Sequence, residues 1–351
     1  QKIGISPHRV GGFERVTGGQ EYLADIPFAD VLQVKLVTVP VGRARIVSVD
    51  KTDALAVPGV RLVWTADDLP QPVPRYGPQY QDRPVLAVDE TKFHGEPVAA
   101  VAADTRDAAE EAARLVRVEY EELPGVYTAS QALAADAPLV RETELRPDDD
   151  PYRETNVLTE RVYEWGDVDT AEADLVIDET YSFPMITHFA IEPHAFAAAP
   201  DEDGIAIWST IQHPYLLQKL MAQLLDLPLS KVRVYAPDPG GGFGGKQNIK
   251  LEPLVALMAL ETGRPVRLVL TLDESFQANR RVSAEVRVRS GFTSEGELVF
   301  EDIRSDYLLG AYADIAERVV AKSQYTAAGP YKVPNVRITA RSILTNTTPA
   351  C

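Results

Sequence analysis

Residues 236–247 read Ala-Pro-Asp-Pro-Gly-Gly-Gly-Phe-Gly-Gly-Lys-Gln. Five glycines (Gly240, Gly241, Gly242, Gly244 and Gly245) surround one aromatic residue, Phe243. A strand-like run, Lys231 to Tyr235, leads in, and a helix-like run, Leu251 to Leu260, leads out. Glycine lacks a Cβ, so it reaches positive φ and lets another group approach the backbone. Amides exposed between a strand and a helix start form an anion cradle. The pattern therefore predicts a loop built to hold something phosphorylated, with Phe243 at its tip. Gly240, Gly245 and Lys246 fit the spacing of a mononucleotide P-loop, but Gln247 stands where magnesium chemistry needs a hydroxyl. Gly240, Gly242 and Gly245 also fit a dinucleotide fingerprint, a weak match in so glycine-dense a loop. Its acidic partner belongs ~20 residues on, and Asp273 and Glu274 come late. An empty tight turn is the bland alternative; the entropy that clustered glycines lose on folding counts against it.

Composition narrows the class. At 351 residues the chain is long enough for two or three domains with a substantial core. Hydrophobic residues make up 45% and charged residues 25%, the balance of an ordinary globular protein. No apolar run approaches the ~20 residues needed to span a bilayer, so no membrane insertion is expected. The start Gln1-Lys2-Ile3 lacks a signal-peptide shape. A formal net charge of −17 opposes nucleic-acid binding, which needs a basic surface. The sole cysteine, Cys351, permits no internal disulfide and no cysteine-ligated iron–sulfur cluster. A reducing, cytoplasmic setting is the expectation.

The hydropathy pattern predicts an α+β chain in which mixed strands outnumber helices. Residues 1–16 read as an extended arm. Residues 17–130 read as an α/β unit, with strands over Val31–Val39, Ile46–Val49, Arg61–Thr65, Val98–Ala102 and Val116–Tyr120. Asp104 is the expected cap of a helix over Arg106–Leu115. Residues 131–151, ending in the acidic Pro147-Asp-Asp-Asp-Pro151, read as a solvated linker. From residue 152 to 351 come strands at 155–163, 174–183, 231–235, 266–272, 283–290 and 297–307, with helices at 215–225 and 251–262.

Six segments, in order, resemble one family. Arg15-Val-Thr-Gly with Tyr22-Leu-Ala-Asp-Ile, then His94-Gly-Glu-Pro-Val-Ala-Ala with Val118-Glu-Tyr-Glu-Glu-Leu, come first. His188-Phe-Ala-Ile-Glu-Pro-His-Ala and Trp208-Ser-Thr-Ile-Gln-His-Pro follow, then the glycine loop and Gly329-Pro-Tyr-Lys-Val-Pro-Asn-Val-Arg. Together they resemble the molybdenum hydroxylases of the xanthine dehydrogenase and aldehyde oxidase family, over nearly the whole chain. The resemblance implies an N-terminal α/β hammerhead domain followed by the first part of a mixed-sheet molybdopterin-binding domain. It implies hydroxylation of an N-heteroaromatic compound or an aldehyde with water as the oxygen source, in a heteromeric complex. The implied cofactor is molybdenum-molybdopterin, as such or in its cytosine dinucleotide form. Iron–sulfur clusters and FAD would sit on partner chains: a [2Fe-2S] subunit and an FAD subunit.

Site residues follow from the same resemblance. Gln212, Gly241, Gly242, Phe243, Gly244 and Gly245 would contact the cofactor, with the Gln212 amide facing the metal. Gln247 stands where purine-oxidising relatives carry a substrate-touching Glu, and Arg318 where they carry a substrate-touching Arg. Gln donates and accepts without a pKa, which loosens the case for a purine; Arg318 could pin a carbonyl or carboxylate, or pair with Glu317 or Asp314 on the surface. No side chain is expected to ligate the metal. His188, Glu192 and His194 read as a structural polar cluster, since Pro193 breaks the helix that a metal triad would need. The catalytic Glu of the family has no counterpart, so the base is expected on a partner: a second molybdopterin-binding subunit or C-terminal half. Two rivals stay open. One is an NAD- or FAD-binding oxidoreductase using Gly240–Gly245, and the other a noncatalytic scaffold of the same fold.

Overall fold

The structure is a computed structural model that describes residues 3–351; Gln1 and Lys2 of the expected arm lie outside the described residues. Two large sheets organise it. The first has seven strands in the order Val232–Tyr235, Gly204–Ser209, Ala195–Asp201, Val266–Val269, Leu32–Thr38, Pro97–Ala103, Val60–Trp64. It is mixed: Leu32–Thr38 runs parallel to Val266–Val269 and antiparallel to Pro97–Ala103. The strand Pro97–Ala103 is buried at every position. Its sequence, Pro-Val-Ala-Ala-Val-Ala-Ala, is accordingly an unbroken apolar run rather than an alternation, because both faces of the sheet are covered there. Helix Arg106–Leu115 packs on it through Ala109 and Ala112. The other side meets helices Pro214–Leu224 and Glu252–Thr262 in the largest apolar core, with Leu217, Met221, Leu254, Val255 and Met258 all fully buried.

The second sheet has five strands in the order Leu175–Phe183, Ser283–Phe292, Leu298–Gly310, Asn335–Leu344, Val157–Trp165. Leu298–Gly310 and Asn335–Leu344 are parallel and need a crossover, which helix Ala316–Tyr325 supplies. That helix is pinned at its first turn by buried Glu317, whose carboxylate takes bonds from Thr159, Ser342 and Arg161. A three-stranded sheet, Glu90–Thr91, Ala44–Asp50 and Arg117–Glu122, completes the first unit. No helix among the described residues is long and apolar enough to cross a membrane.

The α+β architecture is as the sequence pattern requires, and four local readings need correction. The arm is not wholly extended: Gly12–Thr17 is a short helix, closed by Gly18 at φ 78°. Segment 131–151 is not a solvated linker throughout. Val140, Arg141 and Arg146 are buried, Arg141 pairing with buried Asp82 and Arg146 donating to the carbonyls of Thr155 and Val157. The cap of helix Arg106–Leu115 is Thr105, whose hydroxyl accepts from the Ala108 amide at 3.2 Å. Strand 266–272 ends at Val269, and Thr271 then caps a helix over Leu272–Ala278. Helix Ala316–Tyr325 and strand Asn335–Leu344 were not anticipated.

Candidate functional site

The glycine loop leaves the end of the edge strand Val232–Tyr235 and turns back under residues 188–194. Helix Glu252–Thr262 begins only after the further segment 246–251, which is buried apart from Gln247. The loop therefore does not open a helix, as both nucleotide fingerprints require, and its anion affinity rests on its own amides rather than on a helix dipole.

Packing explains the glycines. A Cβ on Gly242 would lie 2.7 Å from the side-chain amide carbon of Gln212, and one on Gly245 2.8 Å from the ring of His188. Gly241 and Gly244 hold φ of 106° and 97°, and between them Phe243 takes φ 52° with its ring 74% exposed. A bulky aromatic in the left-handed region, held out to solvent, is the kind of backbone strain that functional loops retain.

Hydrogen bonds fix the outline. The Gly240 amide donates to Glu192 Oε2 at 2.7 Å, Gly245 to the Gly242 carbonyl at 2.7 Å, and Gln247 to the Gly244 carbonyl at 3.3 Å. Gln212 Oε1 accepts from the amides of both Gly244 and Lys246 at 3.2 Å, and the Gln212 amide donates to the Lys246 carbonyl at 2.7 Å. The amides of Gly241, Gly242 and Phe243 have no partner among the described residues. Nor has Gln212 Nε2, on an exposed side chain. Because Oε1 takes both backbone donors, the side-chain NH2 of Gln212 is left pointing away from the loop's own bonds. Three consecutive free amides beside a free carboxamide donor form a cradle for an oxygen-rich or anionic ligand.

The polar cluster His188, Glu192 and His194 lies beneath this cradle and supports it. Lys246 Nζ donates to Glu192 Oε2 at 2.8 Å and to the Glu192 carbonyl at 2.9 Å, and burial lowers the Lys246 pKa. His194 is buried, which drops its pKa to about 3; the neutral ring donates from Nε2 to the Gly245 carbonyl at 3.2 Å. Asn279 donates to the same carbonyl at 2.8 Å and to Cys351 Sγ at 3.1 Å, and the thiol donates to the Gly244 carbonyl at 3.0 Å. Burial also lowers the pKa of His188. No group of three or more His, Cys, Asp or Glu among the described residues is arranged to hold a metal ion. From the N-terminal segment, Arg15 pairs with Asp238 and Tyr22 packs against Gly240. Cys351, Asn279 and Arg15 were not singled out as loop contacts in the sequence, for their loop partners lie 34 to 223 positions away.

The structure separates the alternatives for Arg318. Glu317 is engaged by Thr159, Ser342 and Arg161, and Asp314 by Asn248 and Lys250. Arg318 is exposed on the first turn of its helix and makes no side-chain bond among the described residues. Gln247 is half-buried, and its side chain likewise has no partner among the described residues. Tyr312 is core: its hydroxyl donates to buried Glu96 at 2.6 Å. His94 sits exposed in a turn.

Comparison with known proteins agrees with this geometry. Residues 150–351 match the family described as "Molybdopterin cofactor-binding domain", and residues 17–124 match "Aldehyde oxidase and xanthine dehydrogenase, a/b hammerhead domain". The chain is 33% identical over 350 residues to the nicotinate dehydrogenase large molybdopterin subunit of Eubacterium barkeri, covering 99% of this chain and 80% of that one. It is 33% identical to xanthine dehydrogenase of Drosophila pseudoobscura pseudoobscura, covering 96% of this chain and 24% of the relative. Quinoline 2-oxidoreductase of Pseudomonas putida 86 superposes with a TM-score of 0.90 at 29% identity, over 100% of this chain and 45% of that one. The chain thus spans four-fifths of the first relative and less than half of the other two. By sequence pattern, fold and cradle together, it belongs to the xanthine dehydrogenase and aldehyde oxidase family of molybdenum hydroxylases.

Proposed function

We propose that this chain is the molybdenum-cofactor-binding subunit of a multi-subunit hydroxylase that oxidises an N-heteroaromatic compound or an aldehyde, with water as the oxygen source. The observation that carries the reading is the row of free amides at Gly241, Gly242 and Phe243 beside the free Gln212 carboxamide. The cofactor, as molybdopterin or its cytosine dinucleotide form, supplies the redox chemistry when bound. Gly241, Gly242, Gly244 and Gly245 would leave room for it, Phe243 would bound the substrate side, and Gln212 Nε2 would donate a hydrogen bond to it. Gln247 and Arg318, whose side chains have no partner among the described residues, orient the substrate; the guanidinium favours one with a carbonyl or carboxylate.

The general base comes from outside these 351 residues. The carboxylates around the loop are engaged: Glu192 through Oε2 by Gly240 and Lys246, Glu252 by Ser209 and the Lys250 amide, Glu317 by the second sheet, Asp314 by Asn248 and Lys250. A second molybdopterin-binding subunit or C-terminal half supplies it, with a [2Fe-2S] subunit and an FAD subunit carrying electrons away. The strand Leu175–Phe183 supports a partner, since it is exposed at every position and displays Leu175, Val176, Ile177, Tyr181 and Phe183. The complex purified from its source is expected to contain molybdenum and pterin and to place oxygen from labelled water in its product. Product without that label, or full turnover by this chain alone, would contradict the reading.

A further inference from the structure

Between the glycine cradle and the helix that carries Arg318 stands one buried carboxylate. Asp314 is 7% exposed and has φ 45°, in the left-handed region. Each of its oxygens is used: Oδ1 accepts from the Asn248 carboxamide and Oδ2 from the Lys250 ammonium. Lys250 is itself 2% exposed, so the ion pair is sealed from water. Its backbone is held too, the amide by Glu252 Oε2 at 2.6 Å and the carbonyl by the Tyr76 hydroxyl. On the other side the chain runs from Asp314 straight into helix Ala316–Tyr325, with the Arg318 amide donating to the Ile315 carbonyl at 3.0 Å. The preceding amide, Ala313, donates to Asp82 at 3.0 Å. Asn248 and Lys250 follow Gln247 by one and three positions, and Asp314 precedes Arg318 by four. The two candidate substrate contacts, 71 positions apart in sequence, are thus joined through a single side chain.

A left-handed backbone is disfavoured for a residue other than glycine, though Asp and Asn bear it better than most. A sealed ion pair is weak evidence for stability, because desolvation offsets much of its attraction. Such a strained, buried, doubly bonded carboxylate is better explained by the geometry it fixes. We propose that Asp314 is a positioning residue that locks the Gln247 turn to the start of the Arg318 helix, so that both substrate contacts hold one fixed separation. This rests on the reading that those two residues meet the substrate; the physical lock itself does not.

Removing Asp314 alone would strand a buried ammonium, so the test pairs it with Lys250. In the full chain within its complex, Asp314→Gly with Lys250→Met keeps a residue suited to positive φ and leaves no unpaired charge. Hydrogen exchange is expected to quicken about tenfold in both segments, 247–250 and 315–318, as local opening becomes easier. Cofactor content should stay at the wild-type level while substrate KM rises about tenfold or more, the consequence of misplaced contacts. Asp314→Asn with Lys250→Met, which keeps an acceptor for Asn248, should recover part of both effects. Unchanged exchange, or quickening in one segment only, overturns the lock whatever the enzyme does. Quickened exchange in both segments with KM within twofold of wild type leaves the lock standing and overturns its role in substrate positioning. A wild-type complex without molybdenum or turnover would instead sink the functional reading, and exchange would still decide the lock.

Discussion

At the scale of single residues, the cradle is defined by what cannot be added to it. Gly242 has no left-handed φ to protect, so Gly242→Ala tests space alone: its new methyl would sit 2.7 Å from the Gln212 amide carbon. The variant is expected to fold and to lose at least about nine-tenths of its cofactor, since displacing Gln212 frees the Gly244 and Lys246 amides from their shared acceptor. Metal and pterin analysis of the purified variant checks it, and wild-type loading would contradict it. His194 carries a pH signature. Its folded pKa of about 3 lies below the usual 6.5, so between those values the unfolded chain binds a proton that the folded chain refuses. Stability from this residue is therefore complete above pH 6.5 and falls on acidification through that window, by about 1.4 kcal/mol per pH unit. Glu96 and Glu252, whose pKa values burial raises, act in the opposite sense: their contribution is lost as pH rises. Comparing wild type with His194→Gln by urea unfolding at several pH values isolates the histidine. The variant should show a shallower slope between pH 4 and 5.5, by about 1.4 kcal/mol per unit, and identical slopes would contradict the assignment.

At the scale of elements, local signals in the sequence were read well and long-range ones were not. Helix Arg106–Leu115 and helix Pro214–Leu224 lie where apolar spacing and proline placed them. Asp104 and Thr105 are both good caps, and propensity does not choose between neighbours. The fold decides it, because Asp104 is drawn into ion pairs with Arg61 and Arg264, leaving Thr105 to cap. Thr105→Ala should therefore cost about 1 kcal/mol in equilibrium unfolding, and no loss would return the cap to Asp104. Helix Ala316–Tyr325 escaped notice because its pinning residue, Glu317, is a buried charge whose partners Thr159, Arg161 and Ser342 come from two distant strands. The glycine loop itself was legible, since glycine density is a local feature; the free amides were not, because they follow from which donors Gln212 and Glu192 take up.

At the scale of the whole molecule, the two sequence units share one sheet, joined where Leu32–Thr38 pairs with Val266–Val269. Buried hydrogen bonds also cross between the units, from the Ala313 amide to Asp82 and from the Tyr76 hydroxyl to the Lys250 carbonyl. The loop hangs from the edge strand Val232–Tyr235, while the second sheet ends in a strand exposed at all nine positions. Open apolar strands of this kind invite pairing, and natural proteins cover them. Ile177→Lys is accordingly expected to leave cofactor-loop residues undisturbed while weakening association with the proposed partner, a second molybdopterin-binding subunit or C-terminal half, read as loss of co-elution on size exclusion. Co-elution as in wild type would place the partner elsewhere. The central claim, that Gly240–Gly245 with Gln212 embraces a molybdenum-bearing pterin, is tested most directly by an experimental density map of the native complex. Density for a pterin dithiolene and its metal should lie against the amides of Gly241, Gly242 and Phe243, within hydrogen-bond reach of Gln212 Nε2. An empty cradle, or an adenine dinucleotide in it, would contradict the account.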